Sequence, residues 1–374
     1  MNQNLNKMFK DLFEKYNWAE VKTLIHTATS EQVEAALKKE KLLVSDFAAL
    51  VSPAAAPYLE EMISKSSMLT RQRFGNTMQL YIPMYLSNEC KNICTYCGFS
   101  LQNKVPRKTL SDTEIMQEVA ILKKRGFDHL LLVTGEDGQM VGMPYFRNAI
   151  KLLRPHFAQI SIEVQPLEAE EYQELSELGV HTVLVYQETY KEEDYKLHHP
   201  KGRKSNFHYR LETPDRIGKA GIHKIGLGVL IGLEDWRTDS FFTALHLSYL
   251  EKTYWKTRFS ISFPRLRPFS GGLAPKVEMS DRELVQLICA YRLFNPDVEL
   301  SISTRESARF RNLLSTIGIT SMSAGSRTNP GGYSIDPQSL EQFEISDERS
   351  VEEVIEMLKS QGLQPVYKDW TYVW

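Results

Sequence analysis

Three of the chain's four cysteines fall within the run Cys90-Lys91-Asn92-Ile93-Cys94-Thr95-Tyr96-Cys97-Gly98-Phe99. Thiolates at spacings of four and three can hold one soft metal centre, yet three is one short of the four ligands that structural zinc or a closed iron–sulfur cluster takes. In a four-iron cubane, three cysteines leave one iron free to coordinate a small molecule, and that exchangeable position makes the cluster chemically active. A zinc knuckle completed from afar is the competing reading, but no His lies between Arg71 and Phe127 and the remaining Cys289 is remote. Thiols clustered in a reducing compartment point to metal rather than disulfides. Cys289, within Leu287-Ile288-Cys289-Ala290, reads as a small buried helix residue.

The elements that must position this loop alternate. Residues 1–75 carry helical patterns such as Val33-Glu34-Ala35-Ala36-Leu37, broken at Pro53 and Pro57, and form a helical extension. From residue 76 to 374 strand-like and helix-like stretches alternate, with strands expected at 80–87, 129–135, 159–165, 181–187, 224–232, 258–264, 298–303 and 319–324. Helices are expected between them, for instance at 112–125 and 280–294. Eight such units predict an α/β fold of the (β/α)8 TIM-barrel type, with its active site at the C-terminal strand ends where the Cys loop lies. The aromatic C-terminal stretch from Gln364 is expected to dock on the barrel.

Alternation within the strands defines two faces. Leu80, Ile82, Met84 and Leu86 oppose Tyr81, Pro83, Tyr85 and Ser87; Val298, Leu300 and Ile302 oppose Glu299, Ser301 and Ser303. Strand five alternates apolar residues with Gly226 and Gly228. With the apolar faces against the outer helices, the lumen is polar, unlike the branched apolar filling of ordinary barrels. It therefore suits an enclosed polar cofactor and substrate.

The chain has 374 residues, a formal charge of −2 and a sequence pI near 6.5. No basic surplus points to nucleic acid, and no polybasic run or long apolar stretch points to a membrane. The N-terminal residues lack a secretory pattern, so a cytoplasmic protein is expected. The connection 188–221 carries Lys196, His198, His199, Lys201, Arg203, Lys204 and Arg210. Its length suggests a lid, and its charges read as a solvated or partner-contacting surface, Arg210 excepted.

Together with the Cys loop, several runs in this order resemble the aromatic amino-acid lyases of the radical S-adenosylmethionine (SAM) superfamily, most nearly the tyrosine lyases of thiamine thiazole biosynthesis. They are Arg71-Gln72-Arg73-Phe74-Gly75-Asn76, Leu132-Val133-Thr134-Gly135-Glu136, Tyr186-Gln187-Glu188-Thr189-Tyr190, Ser303-Thr304-Arg305-Glu306 and Pro330-Gly331-Gly332-Tyr333. The resemblance implies one [4Fe–4S] cluster on Cys90, Cys94 and Cys97, with SAM chelating the open iron and cleaved by one electron to methionine and a 5′-deoxyadenosyl radical. It implies hydrogen abstraction from the amine of L-tyrosine and Cα–Cβ scission to 2-iminoacetate (dehydroglycine) and p-cresol. Thr134-Gly135-Glu136 is similar to the Gly-Gly-Glu element that receives the SAM amino group, with Thr134 in place of the first glycine. Tyr96, just before the last cysteine, Arg210 for the SAM carboxylate, and Glu163 for the amine or ribose complete the implied cofactor contacts. Gly226, Gly228 and Gly232 would let the cofactor approach strand five, followed by Asp235 or Glu234 as an acid.

For the substrate the resemblance implies Arg305 as carboxylate anchor, with Ser303, Ser321, Ser323 and Tyr85 nearby. The ordinary alternatives are an arginine balancing Glu163, and Arg305 merely paired with Glu306 or Glu299. Implied partners are a thiazole synthase and an electron donor such as flavodoxin or ferredoxin. The nearest competitor is the tyrosine lyase of hydrogenase cofactor assembly, which goes on to carbon monoxide and cyanide at a second, cysteine-held cluster. Ser323-Ala324-Gly325-Ser326-Arg327-Thr328 looks somewhat like that enzyme, yet no cysteine follows Cys289. A non-catalytic metal-binding interaction protein, the other competitor, would have no need of a polar barrel face.

Overall fold

Period-two alternation of apolar residues becomes eight parallel strands closed on themselves. In the computed structural model, which describes residues 8–268, 272–335 and 340–368, these are β1 (Thr77–Ser87), β2 (His129–Thr134), β3 (Gln159–Glu163), β4 (Val180–Leu184), β5 (Lys224–Gly228), β6 (Arg258–Ser262), β7 (Glu299–Ile302) and β8 (Ser321–Ser323). They pair in sequence order, and β1 pairs with both β8 and β2, so no edge remains between the eight. A helix follows each strand before the next begins. All eight expected strands form. Most end one to four residues before their apolar pattern does, because β3 through β8 give way to loops that turn over the C-terminal mouth.

Capping chemistry fixes where the helices start. Ser111 with Glu114, Ser280 with Glu283 and Ser350 with Glu353 form reciprocal capping boxes ahead of the helices Asp112–Lys124, Asp281–Phe294 and Val351–Ser360. Each such cap contributes about 0.5–2 kcal/mol. Leu80, Ile82, Met84 and Leu86 are fully buried in the main apolar cluster between sheet and helices. The opposite face of β1 turns into the barrel with Tyr81, Pro83 and Tyr85.

The lower lumen is polar, as expected, but closed by its own partners. Gln79 Nε2 donates to Gln159 Oε1 (3.0 Å), His129 Nε2 meets Ser161 Oγ (2.8 Å), and Lys224 Nζ bonds Glu299 Oε2 (2.6 Å). Burial, with the Lys224 charge beside it, pushes the His129 imidazole down to about 3, so it is neutral. The glycines of β5 do not open a path for a ligand. A Cβ at Gly226 would meet the Leu184 side chain at 2.7 Å, and one at Gly228 the Tyr186 ring at 3.0 Å. Leu184 at the end of β4 and Tyr186 just beyond it occupy that space.

The N-terminal helices pack on the barrel's outer layer. Phe47 lies 4.8 Å from Tyr291 and 5.3 Å from Phe294, Gln286 Nε2 donates to Leu50 O and Ser52 O, and Phe9 stacks on His246 at 3.6 Å. At the other end a ninth strand, β9 (Gln364–Val366), adds in parallel to the foot of β1, and Tyr367 meets Phe127 edge-on at 5.5 Å. The rest of the aromatic stretch, 369–374, lies outside the described residues. Among the described residues no helix is long and apolar enough to cross a membrane.

The segment before β9 is pinned by charge. Arg311 and Asp347 pair with no exposed surface on either side chain, and Arg311 also donates to the carbonyl of Ser323 on β8. Asp347→Ala strands that guanidinium and is expected to cost about 3–5 kcal/mol in urea denaturation, against about 1 kcal/mol for Arg349→Ala, whose partially exposed side chain also bonds Asp347. Equal losses from the two variants would contradict this.

Candidate active site

The C-terminal strand ends surround a cavity of about 1500 Å³ counted to its open mouth, and Cys90, Cys94 and Cys97 lie on its wall. The loop that carries them is stitched by side chains satisfying its backbone. Arg107 donates to the carbonyls of Asn88 (2.7 Å), Phe99 (2.9 Å) and Ser100 (2.8 Å), and Cys94 N–H donates to Ser100 Oγ (3.1 Å). Buried Asn92 donates to Glu136 Oε2 (2.8 Å) and accepts from the Lys204 amide (3.0 Å). Gly135 is required at the end of β2: a Cβ there would collide with the Glu89 carbonyl and sit 3.1 Å from Cys90 Cβ.

The donor set fits an iron–sulfur cluster. Burial pushes the Cys90 thiol up to about 11 and that of Cys94 well above its ordinary range, so as bare side chains they stay protonated; a cationic centre is what would make them thiolates. A single tetrahedral ion with Zn–S bonds near 2.3 Å would draw the sulfurs to roughly 3.8 Å from one another. Among the described residues no three His, Cys, Asp or Glu side chains are gathered for one ion. Three cysteines on one cavity wall suit a centre in which each of three irons takes one sulfur.

Charged groups next to the cysteines are largely neutralised in pairs. Arg210 donates to Glu136 Oε1 (3.1 Å) and to Tyr186 O (2.7 Å), and Lys204 bonds Glu188 Oε1 (2.7 Å). Glu188 has φ +70°, the sole non-glycine in the left-handed region among the described residues, and this turn aims its carboxylate into the cavity. Two groups lack such partners. No hydrogen bond or ion pair engages the Glu163 carboxylate among the described residues. Burial, reinforced by the charge of Glu188, pushes it up to about 7 against the pull of Arg305, Lys204 and Arg210. Arg305 stacks on Phe343 at 3.4 Å and has no carboxylate partner among the described residues. The acids that might have balanced it are engaged elsewhere: Glu306 by Arg265 and Glu299 by Lys224.

Tyr85, Ser303 and Ser323 line the cavity beside Arg305. Tyr85 OH donates to Gln342 Oε1 (2.8 Å), and Gln342 Nε2 reaches Cys97 Sγ at 3.6 Å. Tyr96 also lines it, its hydroxyl 2.6 Å from His199 Nε2. Three of the expected site residues do not line the cavity. Ser321 lies one side-chain layer below Ser323, paired across the sheet with Gln79 and Ser301, and is not on the cavity wall. Gly228 faces the Tyr186 ring. Asp235 caps the helix Trp236–Thr253, accepting from Thr238 N (2.9 Å) and Oγ1 (2.6 Å), with His26 on its other oxygen at 3.2 Å; Glu234 is held by Lys276. Lys204 and His199, expected in solvent, are inside.

Sequence reasoning passed over Glu188, Lys204 and Gln342. Lys204 was masked by the charge run around it, although it lies six residues before the arginine that was singled out. Glu188 sits within the run Tyr186-Gln187-Glu188-Thr189-Tyr190, and Gln342 in a segment without periodicity.

Residues 84–244 match the radical SAM superfamily and residues 262–364 the biotin and thiamin synthesis associated domain. The chain is 52% identical to 2-iminoacetate synthase of Escherichia coli (strain K12), and equally to that of Salmonella typhimurium, over 97% of this chain and 97% of each relative. The crystal structure of HydG, a maturase of the [FeFe]-hydrogenase, superposes with a TM-score of 0.87 at 31% identity, covering 98% of this chain and 81% of that one. On this identity across nearly the whole of both chains, and on a cavity that sets three cysteines against an unpaired arginine, the chain belongs to the 2-iminoacetate synthase family of the radical SAM superfamily.

Proposed function

We propose that this protein is a radical SAM lyase that cleaves the Cα–Cβ bond of L-tyrosine to 2-iminoacetate and p-cresol, while SAM is reduced to methionine and 5′-deoxyadenosine. The observation that carries the reading is Arg305: a half-buried guanidinium on the cavity wall with no carboxylate bonded to it among the described residues. Burial lowers its pKa from the ordinary arginine value without threatening its charge. An amino-acid carboxylate supplies the missing counter-charge and a two-pronged hydrogen bond.

Cys90, Cys94 and Cys97 would hold the [4Fe–4S] cluster. The chemistry that this cluster and SAM supply when bound is a one-electron reductive cleavage yielding a radical able to take hydrogen from the substrate. This chain's own residues do the rest. Arg305 fixes the substrate carboxylate, with Ser303 and Ser323 beside it. Glu163, poised near neutrality, accepts a proton from the substrate ammonium and leaves the amine neutral. Tyr85, Phe99, Leu131 and Val133 form an apolar wall that keeps water and stray hydrogen donors away. Arg210, Glu136 and Tyr96 lie on the cofactor side. A thiazole synthase that consumes the imine and a cytoplasmic location belong to the same reading.

The identity of 52% to 2-iminoacetate synthases against 31% to HydG favours the thiazole branch over carbon monoxide and cyanide formation. Anaerobic reconstitution followed by SAM, reductant and tyrosine is expected to yield 5′-deoxyadenosine and p-cresol. Absence of both from protein carrying its cluster would sink the proposal, and cyanide would shift it to the hydrogenase branch.

Arg305→Lys loses the two-pronged geometry and is expected to lower kcat/KM by about 10- to 100-fold, the scale of about 1.5–3 kcal/mol for a charged hydrogen bond, with the cluster's absorbance unchanged. Undiminished turnover would remove Arg305 as the anchor. Glu163 is protonated below and ionised above about pH 7. As the base, it makes kcat/KM rise with pH through that value, and Glu163→Gln should flatten this limb; an identical pH profile in the variant would exclude the role.

A further inference from the structure

Gln342 is half-buried on the cavity wall, in a stretch that is neither helix nor strand, and its main chain is clamped to the Cys loop. Its N–H donates to Thr328 O (3.0 Å) and its carbonyl accepts from Gly98 N–H (3.2 Å), so the segment is tied to the residue after Cys97 whatever side chain position 342 carries. The approach is close: a Cβ at Gly98 would stand 2.6 Å from the Gln342 oxygen. On the other side Phe343 covers the Arg305 guanidinium, and its carbonyl accepts from Thr328 Oγ1 (3.0 Å). The Gln342 amide lies between Tyr85 OH, 2.8 Å from Oε1, and Cys97 Sγ, 3.6 Å from Nε2. A metal-bound thiolate can only accept, so the NH2 end must face the sulfur, and the phenol is left to donate to the oxygen. Of the three clustered cysteines, Cys97 alone receives a side-chain hydrogen bond among the described residues. It packs against the apolar group Tyr85, Phe99, Leu131 and Val133, where a hydrogen bond to a charge is stronger than in water.

We infer that Gln342 is a positioning residue that raises the cluster's reduction potential by donating to the Cys97 thiolate, with Tyr85 holding the amide in the donating orientation. The inference rests on the lyase reading above, which puts a cluster on Cys97. On reduction one electron passes from an external reductant to the oxidised cluster; no bond forms or breaks and no proton moves. The added negative charge is shared with the thiolate sulfurs, so a donor on one of them stabilises the reduced form more than the oxidised form. Tyr85 stands beside Arg305 on the cavity wall. The orientation of this donor is therefore decided on the substrate side of the site.

The test is a potentiometric titration with dithionite, followed by electron paramagnetic resonance, of the cluster-loaded wild-type chain and its Gln342→Met and Tyr85→Phe variants. Iron content and visible absorbance are measured on each sample. Methionine is an unbranched side chain of similar length without a strong donor. Gln342→Met is expected to lower the equilibrium constant for reduction by about tenfold, which is about 59 mV for a one-electron couple, at unchanged iron content. Tyr85→Phe should shift the potential in the same direction by less. A wild-type potential in Gln342→Met would overturn the assignment. So would loss of iron from that variant with the remaining cluster at the wild-type potential, since Gln342 would then only support the loop. If Gln342→Met does not fold, Tyr85→Phe decides, and an unshifted or raised potential there overturns the assignment. A wild-type chain that takes up no cluster overturns this inference and the lyase reading together. One that carries its cluster but makes no p-cresol from tyrosine fails the lyase reading alone, because the potential is measured without substrate.

Discussion

The side-chain amide of Asn92 is the contact on which the active end depends. Fully buried, it donates to Glu136 beyond β2 and accepts from the Lys204 backbone in the β4–β5 connection, so one residue of the Cys loop ties together three segments distant in sequence. Each partner passes the constraint on. Glu136 holds Arg210, and Lys204 holds Glu188. A buried amide with both ends engaged is orienting because the alternative, an unpaired donor or acceptor out of water, costs about 1–3 kcal/mol. The thiols are therefore held by a polar network that extends across the cavity mouth, rather than by apolar packing alone.

That network explains which charges remain available. Burying an ion without a partner is expensive, and the protein meets this cost for Arg210 and Lys204 with carboxylates of its own. Arg305 is treated differently. Its sequence neighbour Glu306 turns away to Arg265, and among the described residues the cation touches the face of Phe343 and a distant carbonyl, with the Glu163 and Glu188 carboxylates acting on it across the cavity without a hydrogen bond. Glu163 is the complementary exception, unpaired and pushed up to about 7, so that its ionised form is a proton acceptor poised at neutral pH. A zwitterionic amino acid offers an anion to the first and a proton to the second, so the two exceptions are compatible with one ligand.

What the sequence made legible follows the reach of each physical signal. Alternation over five or more residues identified the strands and the inward face of β1, because burial on one side leaves a period-two mark. The helix-like stretches at 112–125 and 280–294 form within a residue of those bounds, each opened in the structure by a Ser-x-x-Glu capping box. Depth along a strand has no such mark: Ser321 and Ser323 share a face, and only the register with Gln79 and Tyr81 separates a residue in the packed lower barrel from one at the cavity. Glycines were ambiguous for a related reason. An absent side chain shows that something approaches, but the approaching groups at Gly226 and Gly228 are Leu184 and Tyr186. Asp235 was misread because a helix cap and a ligand contact use the same residue type. β9 has three residues including a proline, too short for any periodicity.

The charged connection between β4 and β5 shows how composition misleads at a closed site. Its lysines, arginines and histidines alternate between opposite sides of one segment: Lys196, Lys201 and Arg203 are exposed, whereas His199, Lys204 and Arg210 turn inward. The turn between them is made by backbone hydrogen bonds to the Cys loop, Lys201 O accepting from Ile93 and His198 O from Thr95. Once those two carbonyls are fixed, the side chains between and after them must divide between solvent and cavity. The segment thereby presents cations to both sides at once, inward ones that bind carboxylates of the site and outward ones in solvent, of which Lys196 pairs with Glu192 at 2.9 Å.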